Sequence, residues 1–168
     1  MDKAFWFAYI ESKNEEVSSM KTVAKLTLED AKIIMAAAER KAGEIGVDMD
    51  IAVTDDCGCL LMFQRMDNAR ISSIDIAINK AFTAAAARKS TRAYGETSGP
   101  GGVSFGIHTS NQGRFMILAG GLPVFVNGQI LGGVGCSSGH PDQDEVVAQA
   151  GIDALLQILK SDPSSRVC

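Results

Sequence analysis

The chain has 168 residues, 46% of them apolar, and carries 16 basic against 20 acidic side chains for a formal charge of −4. That composition supports one hydrophobic core and hence a single domain. It lacks the basic cluster that nucleic-acid binding needs, and no apolar run reaches the roughly 20 residues that span a bilayer, so a cytoplasmic protein with no nucleic-acid or membrane partner is expected.

Residues 1–20 mix aromatic and charged side chains without a period and read as an N-terminal extension, leaving residues 21–168 as the domain. Thr27-Leu28-Glu29-Asp30 offers a hydroxyl cap with an acid three residues later, and Leu28, Ala31, Ile34, Met35, Ala38, Ala42 and Ile45 mark one apolar face. Together they predict a helix that Gly46 ends. Asp50–Thr54 and Leu60–Met66 bracket the turn-rich Asp55-Asp56-Cys57-Gly58 and predict an antiparallel pair. Ser72 or Ser73 is the expected cap of a second helix with Ile74, Ala77, Ile78, Ala81 and Ala85 on its buried side. From Thr91 to Gln112 the chain is rich in glycine, serine and threonine, which predicts a long loop of the kind that carries function or moves.

Phe115–Ala119 reads as a third strand. Asn127-Gly128, flanked by apolar residues, then predicts a hairpin through a type I′ turn. Glycines at 132, 133, 135 and 139 strip the strand after that turn of side chains, which either lets another backbone pack closely or leaves room for a flat ligand. Pro141 to about Lys160 is the last helix, its first turn carrying Asp142, Asp144 and Glu145 toward the positive end of the dipole. Hairpins connect most of these strands, so the economical architecture is α+β, an antiparallel sheet with helices packed on it.

Candidate chemistry is sparse. The two histidines are His108, in the long loop, where it serves as an iron ligand or is simply solvated, and His140, which either caps the last helix or ligates. Arg65 and Asp67 end a strand and face one pocket or form a surface pair. Lys80 and Arg88 lie eight residues apart on one side of a helix, a spacing that suits a carboxylate-bearing ligand or a solvated cationic stripe. Ser137-Ser138-Gly139 precedes a helix and can offer backbone N–H groups to an anion. Free thiols are expected of the four cysteines; Cys57-Gly58-Cys59 can hold a soft metal, although no partner ligands stand elsewhere at matching spacing. There is no GxxxxGK[ST], no GxGxxG after a strand, no GxSxG and no HExxH, so the nucleotide-hydrolase, Rossmann, hydrolase-elbow and zincin readings have no support.

Thr27-Leu28 at a helix start, Val53-Thr54-Asp55 through Gln64-Arg65-Met66-Asp67, Asn79-Lys80-Ala81, Gly120-Gly121-Leu122-Pro123-Val124, Gly132–Gly139, Gln143-Asp144-Glu145 and Ala148-Gln149-Ala150-Gly151 together resemble the GlcG/HbpS-like family. That family includes the C-terminal domain of PduO-type cobalamin adenosyltransferases and stand-alone proteins of diol, glycerol and glycolate utilisation. The resemblance runs from about Leu26 to Leu159. It implies a profilin-like or roadblock-like fold with a five-stranded antiparallel sheet, assembly as dimers to octamers, and haem as a ligand. It covers only the C-terminal domain of PduO-type proteins, so adenosyltransferase activity is not carried over. Where a relative ligates haem through a histidine on its N-terminal helix, this chain has none between Thr27 and Gly46. His108, His140, a cysteine or a methionine would have to replace it.

The resulting expectation is a homo-oligomeric binder of haem or another flat or carboxylated small molecule. Its pocket would lie between the second helix, the Thr91–Gln112 loop and the glycine-rich strand. Lys80, Arg65 and Arg88 would meet anionic groups, Gly120, Gly121 and Gly139 would give backbone access, and His108 would contact iron. Two other readings stand beside it. One is an enzyme acting on a small hydroxy or keto acid, with Lys80 as electrophile or base and Asp144 as its partner. The other is an assembly protein whose glycine-rich strand packs subunits together.

Overall fold

A computed structural model describes residues 23–161; the expected N-terminal extension lies outside them. The first helix, α1 (Leu28–Glu44), begins with the capping box that its sequence spells. The Thr27 hydroxyl accepts from the Asp30 N–H at 3.2 Å, and the Asp30 carboxylate accepts from the Thr27 N–H at 2.8 Å. Gly46 ends it at φ +69°. Ala31, Ile34, Met35, Ala38 and Ala42 are buried as predicted, whereas Leu28 is half exposed.

Strands β1 (Asp50–Asp55) and β2 (Leu60–Arg65) form the expected hairpin, with a bulge between Val53 and Thr54. Helix α2 (Ser73–Ala87) and the short α3 (Thr91–Gly95) follow. The second hairpin joins β3 (Gly121–Val126) to β4 (Gln129–Ser137) through Asn127 and Gly128, both at positive φ. The last helix, α4, spans Pro141–Ser161. No helix among the described residues is long and apolar enough to cross a membrane.

The sheet runs β2-β1-β4-β3, antiparallel throughout. Ile51, Val53, Leu122, Val124, Val134 and Cys136 share one face and form the main core with α1 and α4. The opposite face presents Ala52 and Thr54 of β1 beside Gly135 and Gly133 of β4, and α2 lies on it. The layers are therefore α1 and α4, the sheet, then α2.

Three expectations need correction. Among the described residues the sheet has four strands rather than five, because Phe115–Ala119 does not pair. Its backbone is taken up by helix side chains: the Met116 N–H donates to the Thr83 hydroxyl at 2.8 Å, and the Phe115 ring sits edge-on to Tyr94 at 4.8 Å. The second helix lacks a serine cap, since Ser72 is already helical in its backbone and its hydroxyl bonds no helix N–H. The Thr91–Gln112 segment is not simply loop; it holds α3 and two short 3₁₀ turns, Ile107–Thr109 and Asn111–Gly113.

Candidate functional site

Gly133 and Gly135 of β4 face helix backbone. A Cβ on Gly133 would lie 2.2 Å from the Ala81 carbonyl oxygen, and one on Gly135 would lie 2.1 Å from that of Ala77. Real Cβ atoms do not come so close, so α2 rests directly on the strand and only glycine permits it. The close-packing reading of the glycine row is the observed one. The packing lies within the chain, which removes both the pocket expected at this strand and its use for joining subunits.

The same close approach buries Lys80, a side chain only 2% exposed in the middle of α2. Its ammonium donates to Asp144 Oδ2 at 2.7 Å and to the Cys136 carbonyl at 2.8 Å. Asp144, in the first turn of α4 and equally buried, turns its other oxygen to the Gly139 N–H at 3.0 Å. Gly120 adopts φ +115°, and a Cβ there would lie within 2.7 Å of Lys80 Nζ, the Cys136 carbonyl and the Asp144 side chain. Gly121 is pressed against the Lys80 carbonyl and Thr91, whose hydroxyl accepts from the Gly121 N–H at 3.0 Å. Lys80, Gly120, Gly121 and Gly139 thus converge with Asp144 and Cys136, tying together α2, the end of β4, the entry to β3 and the start of α4. Burial, with the Asp144 carboxylate close by and only partly offset by Lys80, drives the Cys136 thiol far above its ordinary value and leaves it inert.

The remaining predicted residues stand apart from this cluster. Arg65 is exposed at the end of β2 and donates to the Ala69 carbonyl at 3.2 Å. Arg88 is exposed at the end of α2, with left-handed backbone. His108 is exposed in a 3₁₀ turn. His140 is exposed, its Nδ1 accepting weakly from the Asp142 N–H at 3.4 Å. Lys80 and Arg88 do not form a cationic stripe, because one is interior and the other solvated.

Two open cavities of about 390 and 370 Å³ lie near these elements. The first is lined by Gly46, Val47, Asp48, Asn68, Arg70 and Ser138, the second by Arg92, Leu122, Asp142, Glu145, Val146 and Gln149. Neither is lined by a histidine, cysteine, methionine or tyrosine, the side chains that commonly hold haem iron. The loop that carries His108 differs. Val103 is 95% exposed and Phe105 64% exposed, while Gly102 is folded so tightly onto the Thr97 carbonyl that no side chain fits there. The loop base is held by the Ser104 N–H on the Thr97 carbonyl at 3.0 Å, and Lys89 lies 5.1 Å over the Tyr94 ring beside it. His108, Val103 and Phe105 are thus all exposed on one loop.

Sequence reasoning passed over Thr91, Cys136 and Asp50. Asp50 starts β1 opposite Arg65, is fully buried and makes no hydrogen bond through either carboxylate oxygen. Burial raises its pKa, an effect that the Arg65 charge opposes. Asp50 stands among strand residues, where nothing in the local pattern separates a buried acid from a turn acid.

The model of the family described as "Haem degrading protein HbpS-like" matches residues 26–153. An uncharacterised 15.0 kDa protein from the dhaT-dhaS intergenic region of Citrobacter freundii is 40% identical over 136 residues, covering 81% of this chain and 96% of the relative. Among solved structures, Klebsiella pneumoniae protein ORFY superposes with a TM-score of 0.81 at 38% identity, covering 83% of this chain and 97% of that one. A PduOC:heme complex superposes with a TM-score of 0.75 at 29% identity, covering 77% and 94%.

Proposed function

The chain belongs to the HbpS-like family, and from that premise we propose that it binds haem or a closely related flat, anionic ligand on the face of the loop around residues 99–114. The observation that carries the reading is the exposure of Val103 and Phe105 on the same glycine-rich loop as His108. Exposed aromatic and branched side chains cost solvation free energy unless something covers them, at about 25 cal/mol per Å² of apolar surface. That a relative was solved as a heme complex supports haem as the ligand. His108 is the iron contact in this reading, and Lys89 and Arg88, at the end of α2, would meet the propionates. Bound haem would bring a redox-active, ligand-exchanging iron.

The open loop face also favours a homo-oligomer, from dimer to octamer, in which a second copy supplies the opposite wall. Lys80 and Asp144 have a structural role here. Their charged atoms are enclosed and already paired, so no substrate reaches them, and the reading as a hydroxy or keto acid enzyme loses its base. The proposed setting is an accessory role in cytoplasmic diol, glycerol or glycolate metabolism, a reading supported by the resemblance to GlcG and PduO.

The test is a hemin titration of the purified protein, read in the Soret region, with size-exclusion chromatography of each sample. A saturable shift in the wild type that is lost in His108→Ala, with the oligomer unchanged, supports the proposal. A shift indifferent to His108, or none, overturns it.

A further inference from the structure

The β1–β2 turn brings together what the sequence holds only in part. Cys57 and Cys59 are both exposed, although cysteine is among the residues most often buried. The Asp55 carboxylate clamps the turn by accepting from the Cys57 and Cys59 N–H groups at 2.9 and 2.8 Å through a single oxygen, Oδ1. Its second oxygen remains for a ligand. Gly58 is buried against the Phe82 ring, where a Cβ would lie 2.6 Å from the ring edge, and the Arg114 guanidinium covers that ring at 3.9 Å. The turn is therefore seated on the body of the protein rather than free to swing.

One ligand atom from each of Asp55, Asp56 and Cys57 lies within 4.8 Å of the others. Asp56 Oδ1 is a buried atom paired with the Lys25 ammonium at 3.3 Å. Ligand atoms around a tetrahedral zinc lie roughly 3.3–3.8 Å apart, given bond lengths of about 2.0–2.3 Å. Cys59, outside this group of three, is a second exposed thiol on the same turn.

We propose that the Asp55–Cys59 turn is a binding site for a thiophilic divalent cation of the zinc class, held by the Cys57 and Cys59 thiolates with the Asp55 and Asp56 carboxylates. The ion takes the place that Lys25 fills against Asp56, and each thiol loses its proton to solvent on binding. The site rests on neither haem nor His108.

Cadmium is the probe, added to the reduced full chain and followed by its thiolate-to-metal charge-transfer absorption, with zinc as competitor. The expected result is a band that saturates at about one equivalent per chain, as for a site with one metal position, and that zinc displaces. The band should vanish in Cys57→Ser/Cys59→Ser and survive in Cys168→Ser. Asp56→Asn should weaken binding by about tenfold or more, whereas Lys25→Met should strengthen it by removing the competing charge. Far-ultraviolet circular dichroism checks that each variant is folded. The proposal is overturned if no band forms, if the band persists in the folded double serine variant, or if both Asp56→Asn and Lys25→Met bind cadmium as the wild type does.

Discussion

Replacing Lys80 with Met removes the buried cation that joins α2, β4 and α4 while keeping most of the side-chain volume. Two acceptors then lose their donor: Asp144 Oδ2, at 2.7 Å, and the Cys136 carbonyl, at 2.8 Å. Asp144 is 2% exposed and retains only the Gly139 N–H, so a buried carboxylate is left nearly uncompensated. Breaking a buried pair by removing one partner costs about 3–5 kcal/mol. Domains have a total stability of roughly 5–15 kcal/mol, so the variant should be folded but markedly weakened. Urea unfolding at fixed protomer concentration measures this, since assembly makes apparent stability depend on concentration. Asp144→Asn in the Lys80→Met background removes the stranded charge but keeps an oxygen for the Gly139 N–H, and should recover at least about 1 kcal/mol. A cost below about 1 kcal/mol for Lys80→Met would place the pair among weak, solvated ion pairs and refute the reasoning.

Two further outcomes follow from the same packing. Gly135→Ala puts a methyl group 2.1 Å from the Ala77 carbonyl oxygen and 2.5 Å from the Ala81 nitrogen, both backbone atoms with no rotamer to yield. It should cost at least the roughly 1–3 kcal/mol of overpacking and lower the thermal midpoint, whereas Gly128→Ala, with nothing within 4 Å, suffers only its positive φ. Asp50 has a folded-state pKa raised above its unfolded value, so the native state favours its protonated form, and stability is lost as pH rises through the carboxylate range. Asp50→Asn should therefore raise the urea midpoint at pH 7, and the gain should shrink as the pH is lowered toward 4; a gain independent of pH would show that the charge is not the cause.

Much of the fold was legible because its signals are local. The Thr27–Asp30 box, Gly46, the Asn127-Gly128 turn and the acid-rich start at Pro141 each state a boundary within four residues, and each is where the structure has it. The failed strand at Phe115–Ala119 is instructive: its composition suits a strand, but the hydroxyl that captures the Met116 N–H belongs to Thr83, 33 residues earlier, and no local pattern reports it. The glycine row was ambiguous in sequence for a related reason. Absent side chains look alike whether a ligand or a helix fills the space, and only the Ala77 and Ala81 carbonyls decide it. Lys80 was named in the sequence as an anion contact or, with Asp144 as partner, as the base or electrophile of an enzyme; the structure pairs the two as an enclosed ion pair. The burial of Lys80 depended on Gly120 and Gly135 allowing the helix so near. Lys80 and Arg88 were read as one stripe from helical spacing, which gives a direction around the helix axis but not the depth of what lies over it.

The central claim is that the ligand site lies on the His108 loop and not along the glycine-rich strand that α2 already covers. Hydrogen–deuterium exchange of the protein with and without hemin tests it most directly. Slowed exchange on hemin addition should map to residues 99–114, with Lys80 and β4 already protected and unchanged. Hemin-dependent protection along β4 and α2, with residues 99–114 exchanging as before, would contradict the account.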